Sequence, residues 1–119
     1  MKTQVALAAL GALAQESRLA IFRYLVEIGP KGSPVGNIAE SLKLPGATLS
    51  FHLKELTHAD LLVSRQEGRF IWYTANFDTM NGLVAYLTEN CCGGRPELCG
   101  PSCAPTKAPS KTSRARKSG

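Results

Sequence analysis

Four cysteines stand between Cys91 and Cys103, as the adjacent pair Cys91-Cys92 followed by Cys99 and Cys103. Thiolates are soft donors, so this set could hold a soft metal ion. It could also hold structural zinc, although zinc ligands are usually spaced C-x₂₋₄-C and neighbouring ligands fit a tetrahedron awkwardly. A redox switch is a third reading, with Arg95 helping to lower the thiol pKa values. The fourth is that the thiols do no chemistry. No export signal is apparent ahead of them, so they are expected as free thiols in a reducing cytoplasm.

A second group of residues could do recognition rather than catalysis. With Leu49 as origin and about 100° per residue, Ala47, Ser50, Phe51, Lys54 and His58 fall on the opposite side of a helix. Thr48 and Ser50 offer hydroxyls to bases or phosphates, and Lys54 offers a phosphate contact. Phe51 could touch thymine methyls or cover a neighbouring helix. His52 projects nearer the leucine stripe, where it is expected beside the core and hydrogen-bonded to backbone; a base contact is the alternative. Arg65 and Arg69 could reach a nucleic-acid backbone or minor groove, or simply keep a hairpin edge soluble. Catalytic arrangements are missing: there is no nucleophile–base pair, Gly-rich phosphate loop or paired carboxylates. Ser50 and His52 do not form such a pair, because residues two apart on a helix do not face each other. The chain is therefore not expected to be an enzyme.

The elements that must position these groups are legible in the pattern. Val5–Ala14 reads as a helix apolar on nearly every side, which must be covered all round. A second copy of the chain is the expected cover. Glu16–Ile28 places Leu19, Phe22, Leu25 and Val26 at helical spacing and stops at Gly29-Pro30. Ser33-Pro34 reads as a helix start, followed by the stripe Val35, Ile38, Ala39 and Leu42. Lys43-Leu44-Pro45-Gly46 breaks that helix, and the next carries Leu49, Leu53, Leu56 and Asp60 in one sector. Two short helices joined by a tight Pro-Gly turn are a helix-turn-helix signature. Leu61–Gln66 and Arg69–Ala75 read as strands joined by the turn Glu67-Gly68, forming a wing. Asp78 or Thr79 is expected to cap a last helix, where Leu83, Val84 and Leu87 repeat the core spacing. The fold class expected is mainly α with a small β-hairpin, a homodimeric winged helix-turn-helix. It occupies residues 1–92, and residues 93–119 form a flexible, Cys-containing basic tail.

Composition narrows the reading further. The formal net charge is +5 over 119 residues. The excess sits in Lys107, Lys111, Arg114, Arg116 and Lys117, while the remaining nine basic residues are balanced by nine acidic ones. A basic tail can attract phosphates non-specifically or serve as a solvated end, so global charge decides little. Val5–Ala14 is well short of the roughly 20 residues that a membrane span needs, and no membrane association is expected.

The segment Ser50-Phe51-His52-Leu53-Lys54-Glu55-Leu56 is similar to the S-x-H-L-x-x-L recognition-helix motif of the ArsR/SmtB family. Ser17-Arg18-Leu19, Ala59-Asp60-Leu61-Leu62 and Arg65-Gln66-Glu67-Gly68-Arg69 follow in the family's order, so the resemblance covers roughly residues 5–92. It implies a homodimer paired through its first and last helices, bound to double-stranded operator DNA when empty and released by a metal or metalloid. The recognition helices would enter successive major-groove turns of an imperfect palindrome, about 34 Å apart. Two inducer sites known in the family are missing from the sequence. Val35–Glu40 has no Cys-x-Cys pair, and Asp78–Asn90 has no His. The cysteines instead resemble those of arsenic repressors with a vicinal pair after the last helix. That likeness implies Cys91, Cys92 and Cys99 as ligands of As(III) or Sb(III), with Cys103 as alternate or fourth. A methylated arsenical needs only two thiolates. The alternatives left open are zinc or cadmium, thiol oxidation, and a cytosolic thiol protein that buffers metal without reading DNA.

Overall fold

The computed structural model describes residues 1–90 and Gly93. In chain order the elements are α1 (Thr3–Leu13), α2 (Glu16–Ile28), β1 (Ser33–Pro34), α3 (Val35–Leu42), α4 (Gly46–His58), β2 (Leu62–Glu67), β3 (Phe70–Ala75) and α5 (Phe77–Leu87). Met1–Leu83 form one packed unit, and a second begins at Val84, within α5.

Backbone punctuation sets the helix ends. Gly29, at φ 93°, closes α2 with its N–H donating to Leu25 O at 3.1 Å. Lys43 turns left-handed after α3 (φ 56°), and the Leu44 N–H donates back to Ala39 O at 3.1 Å. Asp60 repeats the device after α4, with φ 64° and Leu61 N–H to Leu56 O at 3.0 Å. Each ending satisfies a helix carbonyl that would otherwise lack a partner. The α3–α4 turn is thus built on Lys43, and Pro45 holds the cap position of α4. Gly46, expected in the turn, is the first residue of α4, and Asp60 lies beyond its end.

The helix expected from Ser33-Pro34 starts one residue later, at Val35 with Pro34 in the cap position, and Ser33-Pro34 itself is a strand. It forms an edge strand in a three-stranded antiparallel sheet of order β1-β3-β2, pairing Ser33 with Tyr73 and Pro34 with Trp72. An edge is where proline's missing donor is tolerated. Gly32 makes the approach possible: at φ 76°, a Cβ there would lie 2.5 Å from Tyr73 O and 2.8 Å from Thr74 Oγ1. The wing pairs Leu62 with Ala75 through Glu67 with Phe70, so its turn is Gly68-Arg69, one residue later than expected. Gly68 takes φ 64° in the first turn position, as a type II′ hairpin needs. The cap of α5 is Asn76, whose Oδ1 accepts from Thr79 N at 3.3 Å, rather than Asp78 or Thr79.

Ile21, Leu25, Ile38, Leu49, Leu53, Leu56 and Leu61 are fully buried and join α2, α3, α4 and the entry to β2 in one core. Leu19, placed on the core stripe by spacing, is exposed, and Ile21 takes its place. In α1 only Ala6 and Ala9 are buried, while Val5, Leu7 and Leu10 are exposed. In α5 Leu83 is buried and Val84 and Leu87 are exposed. No single helix among the described residues is long and apolar enough to cross a membrane.

Candidate nucleic-acid interface

Burial splits α4 into two faces. Leu49, His52, Leu53 and Leu56 turn inward. Ala47, Thr48, Ser50, Phe51, Lys54 and His58 are exposed, and none of them is acidic. Ser50, Lys54 and His58 share an open groove of about 620 Å³ with Arg69, Phe70 and Ile71 of the wing. The groove thus runs between a helix face carrying the Ser50 hydroxyl and the Lys54 cation and a hairpin tip carrying Arg69. Such a surface can contact phosphates with its cations and base edges with its hydroxyls.

Arg65 and Arg69, paired in the sequence reading, have different surroundings. Arg69 is exposed in the wing turn. Arg65 is held by its own chain: Nε donates to Glu67 Oε2 at 2.6 Å, Nη1 to Thr74 Oγ1 at 3.3 Å and Nη2 to Lys31 O at 2.8 Å. Its guanidinium also lies over the Trp72 ring, 5.2 Å from the centroid. Together these contacts tie the wing to the loop before β1.

His52 is buried beside the core, and its partner is a side chain rather than backbone. Nδ1 lies 3.4 Å from Nη1 of Arg18, whose Nε donates to Ala12 O at 2.7 Å. Burial lowers the His52 pKa from its usual 6.5, and the Arg18 charge lowers it further, against a weaker opposing pull from Glu55. A guanidinium has no acceptor, so His52 Nδ1 must accept, which requires the neutral ring. The His52 ring also meets Phe51 edge-on, with centroids 5.6 Å apart.

Known proteins share the sequence pattern and the fold of this region. A helix-turn-helix domain family pattern matches residues 13–65. The arsenical resistance operon repressor of Bacillus subtilis (strain 168) is 33% identical over 81 residues, covering 68% of this chain and 73% of that protein. The chain belongs to the ArsR family of winged helix-turn-helix transcriptional regulators. Among solved structures of such regulators, an ArsR-like transcriptional regulator from Rhodococcus sp. RHA1 superposes with a TM-score of 0.62 at 26% identity, over 73% of this chain and 78% of that one. The homodimeric winged helix-turn-helix DNA-binding domain of a possible ArsR-family regulator from Mycobacterium bovis gives 0.60 at 26% identity, over 73% and 81%.

As an ArsR-family regulator, the chain has DNA as its partner. Two members of the arrangement were given no role from the sequence: Arg18, which appears there only within the Ser17-Arg18-Leu19 motif and supports His52, and Trp72, which supports Arg65. Cys91, Cys92, Cys99 and Cys103 lie outside the described residues, as does almost all of the basic tail. Among the described residues, no cluster of three or more His, Cys, Asp or Glu could hold a metal ion.

Proposed function

We propose that this ArsR-family chain is a cytoplasmic repressor that grips a palindromic operator as a homodimer and lets go when As(III) or Sb(III) binds its cysteines. The DNA half of the reading rests on the acid-free outer face of α4 beside the wing, with Lys54 and Arg69 as the cations nearest the groove. The dimer half is supported by the exposed apolar residues of α1 and of α5, and by the homodimeric relative from Mycobacterium bovis. Pairing through the first and last helices would cover those residues in both copies.

The ligand half rests on donor chemistry. Cys91 and Cys92 follow closely on α5 (Phe77–Leu87), and Cys99 or Cys103 supplies the third sulfur. Three thiolates suit a soft trivalent ion that forms a pyramid of bonds. The name of the Bacillus subtilis relative supports the same inducer. Because the thiols adjoin the helix proposed for pairing, capture of the ion biases the dimer rather than blocking the base-facing helix. A switch from 1:99 to 99:1 between operator-competent and released states needs about 5.5 kcal/mol of differential binding.

The deciding experiment is a gel shift with DNA upstream of the chain's own coding sequence, with and without arsenite. The expected result is a shifted band that arsenite abolishes, and that persists with arsenite in the Cys91→Ser/Cys92→Ser protein. Arsenite release of that double variant would refute the thiol site. Tight metal binding with no sequence-selective band would point to a metal-buffering protein instead.

A further inference from the structure

Phe51 is out of character with its surroundings. It is 56% exposed, a large apolar ring on a face otherwise made of Ala47, Thr48, Ser50, Lys54 and His58. A ring left so open in the folded chain does not serve as cover for a neighbouring helix; single exposed apolar side chains are common, so it is the ring's place on the polar outward face of α4 that points to a contact. On the edges of base pairs in the major groove, the apolar group on offer is the C5-methyl of thymine.

The ring is also braced. It packs against the His52 ring in a T-shaped contact with centroids 5.6 Å apart, His52 is buried against Arg18, and Arg18 is anchored on Ala12 O near the end of α1. These contacts form a continuous chain from the apolar first helix to the base-facing surface.

We propose that Phe51 is a specificity residue that reads thymine methyl groups, and that Arg18, acting through His52, is the positioning residue that holds its ring in register. The inference rests on the operator-binding reading and adds to it which base feature is read and what orients the reader.

Fluorescence anisotropy with two DNA duplexes tests it. One duplex is the upstream DNA and the other is the same sequence with deoxyuridine replacing thymidine, which removes the methyl groups and leaves every phosphate. Wild-type protein is expected to bind the uracil duplex more weakly, by about four-fold for each methyl group that the ring would otherwise cover. Phe51→Ala is expected to bind the two duplexes alike. Arg18→Ala is expected to bring the thymine-to-uracil ratio toward one with no change in the salt dependence, which reflects the number of phosphates neutralised. If Arg18→Ala lowers the melting temperature, His52→Gln is read in its place, since it keeps an acceptor for Arg18 and removes the ring edge. A wild-type protein that binds both duplexes equally, or a ratio retained in Phe51→Ala, overturns the reading of thymine. A ratio retained in both Arg18→Ala and His52→Gln overturns the positioning role. Failure of the wild-type protein to bind either duplex would refute the operator-binding proposal itself.

Discussion

Lys54 and His52 are two residues apart on α4 and answer to different physics. Lys54 is exposed on the groove, and its charge can act on phosphate whatever the base sequence. Lys54→Ala is therefore expected to weaken binding about equally for different sequences and to reduce the salt slope by about one. Anisotropy titrations at several salt concentrations measure both. His52 is buried and must stay neutral to accept from Arg18. Its folded pKa is depressed, by burial first and by Arg18 second. Below pH 6.5 the unfolded chain therefore takes up a proton that the folded chain refuses. The pair's contribution to stability is thus fully present above pH 6.5 and is lost as pH falls toward the depressed folded value. Urea denaturation from pH 7.5 to 5 is expected to show that decline, and His52→Gln to flatten it. The burial of His52 was foreseeable from its angle on the helix. Its partner was not, because Arg18 lies 34 positions away.

At the scale of elements, the backbone depends on glycine where it packs tightly and tolerates a side chain where it does not. Gly32 has a left-handed φ and no room for a Cβ against β3. Gly32→Ala is expected to destabilise by more than about 1 kcal/mol, because strain and overlap both act against it. Gly36, the second residue of α3, meets nothing within 4 Å. Gly36→Ala is expected to stabilise the helix by about 0.5–1 kcal/mol. Thermal denaturation of the two variants side by side checks the opposite signs. The wing illustrates the same dependence on distant contacts. Its strands follow from alternation and aromatic content, whereas its attachment depends on Arg65 reaching Lys31 O and stacking on Trp72.

Across the whole molecule, the apolar first helix is the feature a single chain leaves unresolved. Leu7 is 62% exposed, and Val5 and Leu10 stand open beside it. Leu7→Glu is expected to leave the core intact, since Leu7 contributes little to it, and to shift the protein toward monomer under the proposed pairing. Analytical ultracentrifugation measures the shift. Operator affinity is expected to fall with it, because two half-sites are held together only by a dimer. A Leu7→Glu protein that remained dimeric would place the pairing surface elsewhere.

Local chemistry was enough to read α2 to its ends, the helix-turn-helix pair, the two wing strands and the outward face of α4. Each of these rests on spacing or on a nearby Gly or Pro, both of which act within a few residues along the chain. Tertiary structure alone decided that Ser33-Pro34 is a strand, that Asn76 caps α5 and that the wing turns at Gly68-Arg69. It also decided that Arg18 supports His52, that Arg65 is occupied by its own chain, and that Phe51 stands open. The reason is the range of the forces involved. A two-residue edge strand carries no periodicity and exists only because Tyr73 and Trp72 offer it partners. A guanidinium bridging residues 34 apart is invisible until folding brings its acceptors within about 3 Å.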